Sequence, residues 1–225
     1  MSLTQITGAL LILLPIAFNL IFFLLQKTFE YPDILRKPTD YILSQFNAGG
    51  NPLIITWYSF ALISLLFIPI AILVNQVLAQ DTMPYIALAT TVGVLAGLVQ
   101  FLGLIRWTFL VPFLAKTYFE PASSQATRDS IAIVFQAFHR FAGVAIGEHL
   151  GYLCTSVWTA LIALAITQSS QLNAWIGWAG FVPALGIFIG LFEEAGFKPA
   201  AAINAIGYIL WSIWLIVVGV AFLLQ

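Results

Sequence analysis

The chain has 225 residues, 61% hydrophobic and 8% charged, with a mean hydropathy of +1.01 and a net charge of −1. An ordinary globular domain carries about 25% charged residues, so this is the composition of a chain that meets lipid, and the lack of basic excess excludes nucleic acid as a partner. Cys154 is the only cysteine, which excludes an intrachain disulfide, a Cys-x-x-Cys motif and any thiolate-rich metal site.

Six apolar segments follow one another, at residues 7–25, 52–79, 84–105, 141–167, 172–192 and 199–224. Each is as long as the roughly 18 residues that mark a membrane-crossing helix. They predict an all-α, polytopic transmembrane bundle folding as one domain. The first segment has no basic region before it and no small-residue cleavage site after it, so it reads as a retained span and not a removable signal.

The basic residues set the expected orientation. Lys27, Arg36 and Lys37 lie in the first connection, Arg106, Lys116, Arg128 and Arg140 in or beside the third, and Lys198 in the fifth. The second and fourth connections hold none. Since Lys and Arg accumulate in cytoplasmic loops, connections one, three and five are predicted inside and both termini outside.

The first connection is punctuated by Pro32 and Pro38, after which Ile42, Leu43 and Phe46 recur at helical spacing. This predicts a short interfacial helix near 39–47, capped by Thr39 and ending at Ala48-Gly49-Gly50, with Pro52 opening the second span. In the third connection, Ile131, Phe135 and Phe138 keep helical spacing and predict an extension of span four near 128–140. From Arg128 to Thr167 such a helix would be about 60 Å long, roughly twice the hydrocarbon thickness, so it must protrude, tilt or kink. Pro15 and Pro183 fall mid-span in spans one and five, but proline is frequent in membrane helices and does not by itself indicate an internal repeat.

Depth selects the polar residues that matter. Counting about 20 residues back from the outer end of span four reaches Glu148 and His149, and the same count along span three, from near Pro84, reaches Arg106 and Trp107. Asn19, Asn204 and the pair Glu193 and Glu194 fall at the matching level of spans one, six and five. An ionisable group at membrane depth is expensive and is by default a functional hypothesis. Glu148 is therefore the leading ligand or proton site, with Arg106 as its candidate partner and His149 beside it. On span six, Asn204, Tyr208, Trp211 and Leu215 share a face suited to line a cavity. Against this stands a plainer reading, a structural ion pair and an aromatic helix packed inside the bundle.

Glycines set a second pattern. Gly143, Gly147 and Gly151 follow Arg140 on one face of span four, a packing face on which another helix can approach the backbone closely; Gly93 and Gly97 of span three are the expected counterpart. Trp175 and Trp178 are predicted to anchor the outer interface, and Trp57 and Trp107 the inner one. Trp158, Trp211 and Trp214 fall at mid-membrane, where each indole N–H needs a partner.

Cofactor and enzyme patterns are weak. Consecutive residues of a helix diverge by about 100°, so Glu148 and His149 do not readily chelate one ion together, and His139 and His149 of one helix do not sandwich a haem unless a dimer or another axial ligand completes it; a zinc site would need a third ligand from another span, which Glu193 or Glu194 could supply. No His-Glu-x-x-His spacing is present for zinc. Glu193-Glu194-Ala-Gly-Phe-Lys198, with Phe135-x-x-x-His139, is similar to motifs of CAAX-type intramembrane proteases. The chain departs from them in three ways: Lys198 replaces an arginine, the His motif precedes the Glu pair, and Leu153 stands four residues after His149 where Asn or Asp is required. The turn at Gly196 and Pro199 explains the same residues as a helix end and a helix start.

Gly196-Phe197-Lys198-Pro199 opening a glycine-interrupted last span at Gly207-Tyr208, after a histidine-bearing span with glycine-rich turns, resembles a bacterial family of multi-spanning membrane proteins known only as a domain of unknown function. Gly147-Glu148-His149-Leu150-Gly151 is a departure from it. The resemblance implies about six spans in a bacterial inner membrane and no particular activity. From the residues themselves, three functions are expected in turn: binding or transport of a small or amphipathic ligand through a cytoplasm-facing polar site; an intramembrane enzyme on a lipid-like substrate, with Glu148 or His149 as general base; or a scaffold that docks a homo-oligomeric or other membrane partner on Gly143, Gly147 and Gly151.

Overall fold

A computed structural model describes residues 1–79, 83 and 85–225. All of its regular structure is helical. Six of its helical stretches are long and apolar enough to cross a membrane: Leu3–Phe29, Thr39–Leu78, Ile86–Tyr118, Gln125–Gln168, Ala174–Phe192 and Ala200–Leu223. The expected start of span three at Pro84 lies outside the described residues.

The first stretch is one helix, α1 (Leu3–Phe29), opened by a capping box in which Ser2 and Gln5 satisfy each other's backbone N–H groups. A single 3-10 turn, Asp33–Arg36, leads to α2 (Thr39–Leu65) and α3 (Phe67–Leu78). Thr39 does not cap α2. The N-cap position is Pro38, which has no N–H to satisfy, and the Thr39 hydroxyl instead accepts from Gln136 Nε2 at 2.8 Å. Gly50 interrupts α2 with φ 54° and ψ −152°, a conformation that only glycine adopts without strain, so α2 is broken at the glycine pair, just before Pro52.

Span three is α4 (Ile86–Leu104), and it runs on past Ile105 as α5 (Arg106–Tyr118). After the turn at 119–124, α6 (Gln125–Phe138) leads through a π-helical segment, His139–Leu150, into α7 (Gly151–Gln168). Spans five and six are α8 (Ala174–Ile189), continued by a 3-10 turn to Phe192, and α9 (Ala200–Leu223). Successive spans pack against each other, and α1 packs on α9, so the six form a closed ring. Glycine makes the closure. A Cβ on Gly8 would lie 2.6 Å from the Gly219 carbonyl oxygen, and one on Gly219 would lie 2.6 Å from that of Gly8.

Two apolar cores stack along the ring. One fills the half nearer the termini, around Phe67, Ile70, Trp158, Trp211, Trp214 and Phe222. The other joins the ends of α1 and α2 to the α5–α6 hairpin and is built on Trp57 and Trp107, whose rings stack at 4.7 Å and 11°. Phe29 meets both indoles edge to face. Trp57 and Trp107, 0% and 1% exposed, are therefore core residues and not interface anchors; the amphipathic N-terminal part of α2 folds over them and takes them out of the belt. Trp175 and Trp178, 56% and 67% exposed, stay on the outer surface of the bundle.

The glycine face of span four meets span three of the same chain, at a different place from the one expected. A Cβ on Gly103 would lie 2.5 Å from the Gly147 Cα, whereas one on Gly147 would lie 3.0 Å from the Gly103 Cα and one on Gly151 would touch only the Gln100 side chain at 3.3 Å. Gly93 and Gly97 serve other contacts, Gly93 under the Trp158 indole and Ala71, Gly97 against Ile68 and the Ser64 carbonyl of span two. The register differs because the π segment sets the spacing along span four. Thermal unfolding in detergent is expected to rank the alanine variants accordingly: Gly103→Ala the most destabilising, by about 1–3 kcal/mol as an overpacked contact, Gly147→Ala less, and Gly151→Ala close to neutral. An inverted order would contradict this packing.

Candidate functional site

At the end of the bundle that carries the Lys and Arg residues, the ring opens into a cavity of about 1140 Å³. Its walls come from all but one of the spans through Asn19, Phe60, Arg106, Glu148 and Asn204, with Glu193 and Glu194 at the end of α8. The polar residues that depth counting puts at one level thus line one space. Toward the termini the cavity ends on aromatic packing: Phe67 meets Trp158 and Trp211 edge to face at 4.7 and 5.5 Å.

The π segment positions the charged groups. Its (i, i+5) hydrogen bonding places Glu148 one turn beyond Gly143, and the Arg106 guanidinium lies against Gly143, where a Cβ would be 2.5 Å from Nη2. Arg106 is buried, donates to the Gly103 carbonyl and stands 5.2 Å from the Trp107 ring. It does not pair directly with Glu148: no ion pair within 4.0 Å joins them, and the Glu148 carboxylate has no hydrogen-bond partner among the described residues. The reason is geometric, since Arg106 is held by its own turn of α4–α5 and by the glycine face. Both groups are left facing the cavity.

The other sequence-selected residues divide. Asn204 lines the cavity, but its amide Nδ2 donates to the Ile187 carbonyl at 3.0 Å and so fastens α9 to α8. Trp211 donates to Thr159 Oγ1 and Trp214 to the Ile176 carbonyl, each at 2.8 Å, which meets the need of two mid-span indoles; Trp158 Nε1 has no partner among the described residues. Tyr208 packs its ring against Tyr152 at 5.8 Å and Trp211 at 6.0 Å, forming one aromatic wall. His149 lines the cavity and is exposed. His139 lines the cavity too, buried and stacked on Phe135, with Nδ1 unpartnered among the described residues. Among the described residues no three His, Cys, Asp or Glu side chains come close enough to hold a metal ion.

Sequence reading missed what the first connection supplies. Tyr31 and Arg36 fold under the ring and line the cavity, and nothing in a Pro-punctuated loop signals this. Burial, followed by the charge of Glu148, holds the Tyr31 phenol well above its ordinary pKa, with Arg106 opposing, so it stays a neutral donor. Arg36 Nη2 donates to Glu193 Oε1 at 2.6 Å and straps the first connection to the end of span five. That hydrogen bond is the main cause that raises the Arg36 pKa.

The family described as Domain of unknown function (DUF4386) matches residues 6–219. The chain belongs to this family. Membership therefore spans the whole ring and the cavity, and not only the C-terminal part in which the resemblance is visible. No curated protein and no solved structure matches the chain, so the chemistry of a DUF4386 cavity rests here on its residues.

The Arg36 and Glu193 side chains are 61% and 34% exposed, so their pair is screened by water. Arg36→Ala is expected to change stability by less than about 1 kcal/mol, measured by thermal unfolding in detergent; a larger loss would show that the strap carries the fold.

Proposed function

We propose that the protein binds a small amphipathic molecule in the cavity at its basic end, reached from the cytoplasm or the inner leaflet of a bacterial inner membrane. The observation that carries this reading is a single space of about 1140 Å³ whose lining joins charged groups, Arg106 and Glu148, to apolar walls, Phe18, Phe22 and Ile209. Ligand sites share this composition, mostly apolar with a few placed polar groups, and range up to about 1000 Å³, so this cavity is large enough for an amphipathic molecule. The excess of Lys and Arg at this end supports the inward orientation.

The scaffold reading is less favoured, because two of its three glycines, Gly143 and Gly147, already pack within the chain against Arg106 and Gly103. Binding is favoured over passage across the membrane by the packed aromatic cluster beyond Trp211.

Ala205 lies on the cavity wall and is exposed, so Ala205→Trp fills space without entering a core. In dodecyl maltoside this variant is expected to bind a lysophospholipid at least about tenfold more weakly than the parent, a loss of roughly 1.4 kcal/mol, with an unchanged unfolding midpoint. Equal affinities by equilibrium titration would refute the cavity as the binding site.

A further inference from the structure

Of the charged side chains that line the cavity, Arg36 is paired with Glu193, and Lys37, Arg140 and Glu194 are exposed, which leaves the Glu148 carboxylate and the buried Arg106 guanidinium, not paired with each other. Glu148 has no hydrogen-bond or ion-pair partner among the described residues. Arg106 spends one donor on the Gly103 carbonyl, out of the five a guanidinium carries. They stand on neighbouring spans, Arg106 against Gly143 and Glu148 one π turn further on. Opposite charges in an apolar surround are costly while each lacks a counter-charge, and the fixed backbone of the Gly103 contact keeps them from closing on each other.

We infer, building on the ligand-binding reading above, that this site is made for a zwitterionic group, with an acid function on Arg106 and an ammonium between Glu148 and the Tyr152–Tyr208 wall. A purely anionic ligand would satisfy Arg106 and leave Glu148 facing a second negative charge. A purely cationic one would do the reverse. Only a group carrying both charges neutralises both residues at once. The aromatic wall adds to the ammonium side: Tyr152, Tyr208 and Trp211 succeed one another at 5.8 and 6.0 Å, and a ring face within about 6 Å attracts a cation. Farther out the lining keeps its mixed sign, with Lys37 and Arg140 exposed beside Glu194, while Arg36 and Glu193 neutralise each other. Phe18, Phe22 and Ile209 then offer an apolar path for a chain attached to the zwitterion.

Such a group can come from a lipid headgroup or from a free solute, and matched probes separate the two. Full-length protein in dodecyl maltoside is titrated with lysophosphatidylcholine, lysophosphatidylglycerol and an alkyltrimethylammonium of the same chain length, and with glycerophosphocholine, the same zwitterionic phosphodiester without a chain. The zwitterionic lysolipid is expected to bind about tenfold more tightly than either singly charged probe. Glu148→Gln should abolish its advantage over the anionic probe, and Arg106→Gln its advantage over the cationic one. Should buried Arg106→Gln not fold, Tyr208→Leu serves in its place and is expected to weaken both ammonium probes without affecting the anionic one. Glycerophosphocholine binding as tightly as the lysolipid upholds a zwitterion drawn from solution; much weaker binding upholds a lipid headgroup. Equal affinity for the three chain-bearing probes, tighter binding of the anionic one, or a Glu148→Gln variant with the parent's selectivity overturns the zwitterion while leaving the cavity reading intact. If Ala205→Trp displaces none of the probes, the cavity reading itself fails.

Discussion

The backbone contact between Gly103 and Gly147 is the constraint from which the rest of the site follows. Helices in lipid gain little from apolar burial against each other and associate by close packing, and here neither residue has a side chain to hold spans three and four apart. The approach leaves room for the Arg106 guanidinium against Gly143 and sets Glu148 on the cavity side. A side chain at Gly103 would move both charges. The π segment belongs to the same constraint, since its wider turn adapts span four to that contact while α6 below it and α7 above it stay regular. Segments of this kind recur at functional sites.

The two cores divide the labour. The half of the ring nearer the termini is filled by interlocked tryptophans, two of them tied by indole hydrogen bonds to Thr159 and Ile176. The other half is left hollow and is held open from below by the Trp57–Trp107 stack and the hairpin packed around it. A hollow at membrane depth is stable only where its walls are braced from elsewhere. The bracing includes Asn204, which ties α9 to α8, and the Asn19 amide, which reaches Ser212 across α1 and α9 at 3.0 Å.

How much of this could be read in advance depends on which force acts. Six apolar helical stretches and the break at Gly50 were legible because hydrophobic length and backbone stereochemistry are local properties. The convergence of Asn19, Arg106, Glu148 and Asn204 followed from depth alone, since helices crossing one bilayer share a scale of 1.5 Å per residue. Depth says nothing of rotation about the helix axis. That is why Trp57 and Trp107 read as belt residues and are core, and why Gly93 and Gly97 stood in for Gly103.

The sequence by itself therefore determined the membrane class, the number of spans and the level at which polar residues gather, because each is the sum of local transfer energies along a chain of fixed rise. Only the tertiary structure decided that the level is hollow, that Tyr31 and Arg36 fold beneath it, and that Arg106 and Glu148 face the same space without pairing. Those are matters of helix rotation, register and the shape left between surfaces, which arise when six helices meet and are encoded in none of them singly.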